Sequence, residues 1–249
     1  MKTFYTRDKA NLALNYHENS KSRHNFPESF NPRTEYKIYT NTEIINLDKI
    51  DIWAAKLIAD SFHDVLLSRK TTRSFSALGI DLKTLSKLLA LSFGLRGDQQ
   101  NPNFRTYASA GACYPIEVYV VMMDSPDLKK GIYHYNVLDN TLELLKACDY
   151  SQKAKEDFKK QKINTFPCLI FFSLVFERTM KKYGERGYRY ALLDAGHMGQ
   201  NLYLVSEYLK LGVVGFGDAS AEDWQLDDIL GLRHASEDVI YSFAIGHPL

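Results

Sequence analysis

Residues 181–217 read KKYGERGYRYALLDAGHMGQNLYLVSEYLKLGVVGFG. Four cations and three tyrosines fill the first ten positions, 181–190. From Tyr188 onward the apolar residues recur at helical spacing, which predicts an amphipathic helix of about 20 residues. Ala195, Gly196 and Gly199 give that helix a face of small residues, where another backbone can approach closely. GVVGFGD, 212–218, reads as a glycine-rich turn after it. One long helix set among strands, with no repeated strand–helix–strand unit, points to an α+β chain.

The flanking sequence agrees. IEVYVVMM (116–123) reads as a strand. GIYHYNV and TLELL flank VLDN and predict a hairpin with Asp139-Asn140 in its turn. CLIFFSLVF (168–176) reads as a buried strand and DVIYSFAIG (238–246) as the last one. Helices are predicted from Ile52 to Leu66, over 80–94 with Asp81 as N-cap and Gly94 as its stop, over 150–162, and around Trp224–Leu230. The expected fold is α+β with a mostly antiparallel central sheet. Residues 1–50 are polar and irregular and read as an N-terminal arm that packs across a partner subunit or contacts a peptide or partner enzyme. Residues 51–249 read as the folded domain.

Composition narrows the function. Lys+Arg total 31 and Asp+Glu 30, a formal charge of +1. A nucleic-acid-binding domain usually carries a clear basic excess, so none is expected here. The N-terminal residues lack the apolar run of a signal peptide, and the apolar stretch 168–176 is too short to span a bilayer. A cytoplasmic protein with no membrane partner is expected. Cys113, Cys148 and Cys168 are scattered without a CxxC pair, and the histidines show no ligand spacing, so no metal is expected. His197 reads as a satisfied buried histidine and His134 as structural.

Three constellations carry chemistry. SRKTTRSF (68–75) offers Arg69, Lys70 and Arg73 among hydroxyls, a set suited to a phosphate dianion. Helix-end cations meeting the macrodipole are the alternative there. RTYASAGACYP (105–115) holds a run of small residues against which a flat ligand can lie, or a tight loop into a strand. In KKYGERGYRY, Lys182 stands close to Lys181, Arg186 and Arg189. Like charges and partial burial favour a neutral amine able to act as a base. A solvated charged loop is the alternative. GxxxxGK(S/T), GxGxxG and GxSxG are all absent.

Taken in order, these motifs resemble one family. SRKTTRSF resembles the R-x-S-x-R-x-F opening of nitroreductase-fold flavoproteins. R-x-x-x-SAGA-x-YP-x-EVYVV, G-x-YHY, KYGERGYRY-x-L-x-x-AGH-x-x-QNL and a closing G-x-P resemble the SagB-type dehydrogenases, FMN-dependent azoline oxidases of that superfamily. The resemblance runs from about Leu66 to Pro248. It implies a nitroreductase-like sandwich forming an intertwined homodimer with FMN at the interface. It implies oxidation of a peptide thiazoline or oxazoline to the azole, hydride passing to the flavin and dioxygen reoxidising it. A cyclodehydratase complex is an implied partner.

Carried over by position, Arg69, Thr71 and Arg73 would hold the FMN phosphate, with Arg105 a further candidate. Ser109, Ala110 and Gly111 would border the flavin ring, and the backbone N–H of Gly215 would approach its N5. Lys182 and Tyr183 match a proposed base and substrate-orienting pair. Arg186 and Arg189 would anchor flavin or peptide. The chain departs from the family at Thr71, where serine is usual, at Tyr107-Ala108 before SAG, and in lacking a cation after the last strand. Two other readings stay open: an NAD(P)H-dependent reductase of nitro, quinone or dehydroamino acid substrates, and a non-catalytic flavin-fold subunit of a biosynthetic complex.

Overall fold

β2 (Ile116–Met122) is buried along its whole length and organises the molecule. Ile116, Val118, Val120 and Met122 point into one hydrophobic core, and Tyr119 and Val121 into a second. A strand covered on both faces reads as a continuous apolar run. The computed structural model describes residues 36–48, 62–97, 101–158, 163, 165–217 and 236–249. The predicted helix around Trp224–Leu230 and residues 1–35 lie outside these, as does most of the first predicted helix.

The strands are β1 (Glu43–Asn46), β2, β3 (Gly131–Asn136), β4 (Thr141–Ala147), β5 (Cys168–Val175), β6 (Gly212–Phe216) and β7 (Glu237–Gly246). They form one sheet in the order β1-β4-β3-β2-β5-β7-β6, and every neighbouring pair is antiparallel. The helices are α1 (Phe62–Ser68), α2 (Leu82–Phe93), α3 (Ser151–Asp157), α4 (Phe176–Tyr183) and α5 (Arg186–Tyr208). The fold is α+β, as expected. α2 and α5 pack together over the first core. Tyr150, Ala154 and Phe158, in and beside α3, belong to the second.

Local chemistry explains the boundaries. The Asp81 carboxylate accepts from the Thr84 N–H (2.7 Å) and caps α2. Gly94 ends that helix at φ −69°, so left-handed freedom is not the reason for glycine. A Cβ there would lie 2.5 Å from the Ala90 carbonyl oxygen. GVVGFG is an edge strand rather than the predicted turn. Its valines fit a pleated surface, and the Phe243 and Tyr241 side chains fill the space beside Gly215. The predicted strand 168–176 stops at Val175, and Phe176 opens α4, a helix not foreseen.

Residues 36–46, part of the segment read as an arm, form a strap across the second face of the sheet. Lys37 pairs with Glu237 on β7 and donates to the Tyr119 hydroxyl on β2 (2.6 Å). The Tyr39 N–H donates to Glu143 on β4 (3.2 Å), and the chain then joins the sheet as β1 beside β4.

Candidate active site

The KYGERGY stretch folds into a helical corner because its two glycines do different work. Gly184 ends α4 at φ 56°, its N–H donating to the Met180 carbonyl (2.8 Å). Gly187 lets α5 cross α4 backbone to backbone, since a Cβ there would lie 2.7 Å from the Thr179 carbonyl carbon. Lys182 and Tyr183 therefore occupy the last turn of α4, and Arg186 and Tyr190 the start of α5.

A strained turn lies against that corner. Gly111, Ala112 and Tyr114 have φ of 59°, 53° and 46°. A bulky residue in the left-handed region is uncommon, and such strain persists only where the surroundings enforce it. The Lys182 ammonium donates to the Gly111 carbonyl (3.4 Å). A Cβ on Gly111 would collide with the Tyr183 hydroxyl and the Lys182 ammonium. Around them is an aromatic and cationic wall. The Tyr183 and Tyr190 rings meet edge to face at 4.9 Å, and the Arg186 guanidinium lies 5.3 Å from the Tyr190 centroid. Arg186 Nε is buried without a hydrogen-bond partner among the described residues. Arg189 is half-buried on α5.

α5 clamps the start of the turn through Asp194, His197 and Asn201, spaced to share one helix face. The Ser109 hydroxyl and the Ala110 N–H donate to Asp194 (2.5 and 3.2 Å). His197 Nδ1–H donates to the Ala108 carbonyl (3.0 Å), and Asn201 donates to Thr106 (3.1 Å) and Ser92 (3.3 Å). Burial pushes the Asp194 carboxyl above its ordinary range, against the two hydrogen bonds that favour its charge. His197 is satisfied as expected, but it is exposed rather than buried, because its α5 position faces outward beside the loop.

The other predicted residues form a separate set. Arg69 follows α1, and its guanidinium lies 5.4 Å from the Tyr203 centroid. The Tyr203 hydroxyl accepts the Gly215 N–H (2.9 Å), so the N–H assigned to a flavin nitrogen is engaged within the protein. The Thr72 N–H donates to Val213 on β6 (3.0 Å), which holds the 69–73 segment beside that strand. Thr71 and Arg73 are exposed. Arg69 and Arg73 have no carboxylate partner among the described residues. Tyr203 lies nine positions after Asp194, about two and a half turns. The two sets therefore flank α5, with Ala191, Ala195, Met198 and Leu202 buried between them. Arg105 lies beside Tyr114 of the strained turn and not with Arg69 and Arg73. It is buried, donates to the Tyr107 hydroxyl (3.0 Å) and lies 4.8 Å from the Tyr114 ring centroid.

The Nitroreductase family matches residues 66–247. The chain belongs to the nitroreductase family. A nitroreductase-named protein of Methanocaldococcus jannaschii is 30% identical over 189 residues, 75% of this chain and 92% of that protein. The microcin B17-processing protein McbC of Escherichia coli is 29% identical over 138 residues, 53% of this chain and 50% of McbC. The trifolitoxin-processing protein TfxB of Rhizobium leguminosarum is 34% identical over 109 residues, 41% of this chain and 29% of TfxB. Among solved structures, a nitroreductase from Ralstonia eutropha superposes with TM-score 0.69 at 24% identity, covering 90% of this chain and 98% of that one. A chain of the E. coli microcin synthetase McbBCD complex with truncated pro-MccB17 bound gives TM-score 0.64 at 19%, covering 99% and 95%. A nitroreductase in complex with FMN from Desulfovibrio desulfuricans gives 0.52 at 17%, covering 76% and 87%.

In this nitroreductase-family chain, sequence reasoning missed Asp194, Asn201 and Tyr203, and it passed over Arg178 on α4 and Glu117 on β2, which form a buried ion pair. For the α5 clamp a signal existed: Asp194, His197 and Asn201 fall on one face of a helix otherwise read for its small residues. Arg178 and Glu117 meet only in three dimensions.

Proposed function

We propose that the chain is an FMN-dependent oxidase that converts peptide thiazolines or oxazolines to thiazoles or oxazoles. The observation that carries this reading is the convergence of Lys182 and Tyr183 on the strained Gly111 turn, beside Arg186 and the Tyr183–Tyr190 pair. Similarity to McbC and TfxB, proteins named for processing microcin B17 and trifolitoxin, supports a peptide substrate.

The residues present suit FMN. It carries a phosphate at one end and a flat ring at the other, which asks for two separated sets of groups. Arg69, Arg73 and the Thr71 hydroxyl would hold the phosphate as charge-assisted donors. Ser109, Ala110 and Gly111 would border the ring, with Gly215 on the β6 side. When bound, FMN supplies a two-electron acceptor. Lys182 would take the proton from the former α-carbon of the azoline, acidified by the adjacent C=N and carbonyl, as the neighbouring ring carbon loses its hydride. The product gains aromaticity. Tyr183 hydrogen-bonds and orients the ring, and Arg186 and Arg189 hold the peptide backbone.

The reading includes a homodimer and a cyclodehydratase complex as partner. α1 and α5 pack together and leave Phe62, Leu66, Leu67, Leu192 and Leu193 exposed. Contiguous exposed apolar residues of this kind mark an interaction surface. A chain resembling this one in fold belongs to the McbBCD complex. The deciding experiment incubates the purified yellow protein with an azoline-containing peptide and reads by mass spectrometry the loss of two hydrogens per ring. NADPH consumption without peptide, and no mass loss with it, would turn the reading to a reductase.

A further inference from the structure

We propose that Arg178 is a positioning residue: from α4 it holds the carbonyl of Tyr114, and with it the strained 111–114 turn, against Lys182. The inference rests on the reading of Lys182 as the candidate base. Arg178 and Lys182 stand four residues apart on α4 and so share one face of that helix. Lys182 reaches the Gly111 carbonyl (3.4 Å), and Arg178 Nη1 donates to the Tyr114 carbonyl (3.2 Å). The two side chains thus grip the first and last residues of the turn. Its three left-handed residues include Tyr114, which relaxes unless something holds it.

Arg178 is itself held from below. Its side chain is 6% exposed, and Nη1 pairs with Glu117 Oε1 on β2 (2.5 Å). The other Glu117 oxygen accepts from His134 Nε2 on β3 (2.9 Å), and His134 Nδ1 donates to Glu143 on β4 (2.7 Å). Asn136 adds a bond to Glu143 (3.0 Å). Cation and anion alternate in a row, Arg178, Glu117, His134, Glu143, buried across three strands. The Arg178–Glu117 contact is an ion pair without hydrogen-bond geometry among the described residues, so it is the alternation of buried charge that suits the row to fixing a geometry. Its anchor is the central sheet, so the corner carrying Lys182 is registered against the most rigid part of the fold.

The test uses the flavin-loaded protein and three variants. Glu117→Gln/Arg178→Met removes both charges at once, so neither member of the pair is left buried without the other. Arg178→Lys keeps the charge facing Glu117 and removes the guanidinium fork. Arg178→Met alone shows the unbalanced case. Two readouts are taken: azole formation with an azoline peptide, and the rate at which acetic anhydride modifies Lys182, with exposed Lys83 on α2 as reference. The double variant keeps its flavin, loses about 10- to 100-fold in kcat with KM within about twofold, and acetylates Lys182 several-fold faster at unchanged Lys83. Arg178→Lys falls between it and the parent. Parent-like kcat and parent-like Lys182 acetylation in a folded double variant, or in Arg178→Lys, overturn the proposal. If the parent itself forms no azole, the proposed function fails while the acetylation still decides the role of Arg178.

Discussion

The Lys182 ammonium and the Gly111 carbonyl oxygen lie 3.4 Å apart although 71 positions separate them in the chain. α4 supplies the cation, the strained turn supplies the carbonyl, and Gly111 has no Cβ because that space belongs to Lys182 and Tyr183.

Lys182→Ala is expected to keep the fold and the flavin and to lose azole formation by about 10²-fold or more, the usual scale for a missing general base. Lys182→Arg is expected to be equally inactive, since a guanidinium stays protonated at any working pH. Mass spectrometry of the peptide product, alongside flavin absorbance, checks both. A flavin-replete Lys182→Ala protein with near-normal turnover would place the base elsewhere.

Gly111→Ala tests the turn itself. Alanine at φ 59° costs about 1–2 kcal/mol, and its methyl group displaces Lys182 and Tyr183. Urea denaturation should show that loss, and turnover should fall much further than stability. Equal activity in a stable variant would sink the close-packing argument.

Arg69→Ala/Arg73→Ala is expected to release the flavin without unfolding the chain. Each charge-assisted contact is worth about 1.5–3 kcal/mol, so the pair weakens binding by about 10²-fold or more. Isothermal titration with FMN measures it. A double variant that purifies as yellow as the parent would reassign the phosphate.

Stability should depend on pH through the Glu117–His134–Glu143 row. Burial alone would raise the Glu117 carboxyl, but Arg178 and then His134 bring it from 4.5 to about 2. That contribution is full above the ordinary carboxylate value and fades as pH falls toward 2. The shift corresponds to about 3 kcal/mol. Burial opposes charge on His134, but the bonds to Glu117 and Glu143 outweigh it and raise the ring above its ordinary 6.5. That contribution is full below 6.5 and is lost as pH rises through the raised value. Tyr39 and Lys37 of the strap, Tyr119 on β2, and Arg105 complete the surroundings. The stability difference between the parent and His134→Gln should form a plateau near pH 5–6 and decline on both sides. A difference flat from pH 3 to 9 would show that the row is not ionic.

Leu193→Glu places a charge on the exposed apolar face of α5, where Leu193 is 57% exposed. Light scattering should show the mass fall to that of one chain, with flavin lost in parallel. An unchanged mass would remove this face as the surface of the proposed homodimer.

The α+β class was legible because the strands are long apolar runs and the helices carry readable ends, Asp81 among them. β6 was not, since Gly212, Gly215 and Gly217 in GVVGFG signal a turn, and only the Phe243 and Tyr241 side chains reveal why glycine suits a strand there. α4 was hidden because Phe176 continues the apolar run of β5 without a break. At the site, the cations around Lys182 and the small-residue run holding Gly111 were each legible locally, but only a family resemblance put them in one site, since nothing local joins positions so far apart. The Glu117–His134–Glu143 row escaped for the same reason. Each member sits alone on its strand, and only the antiparallel register brings the three side by side.

The strap also fixes an order of events in synthesis. Lys37 and its partner Glu237 are 200 residues apart. At a translation rate of about 5–20 residues per second, Lys37 leaves the ribosome roughly 10–40 s before β7 exists. Contacts of such sequence separation form late. Throughout that interval the strap can meet only strands already made, through Tyr39 on Glu143 and Lys37 on Tyr119, and the Lys37–Glu237 pair closes once β7 has emerged.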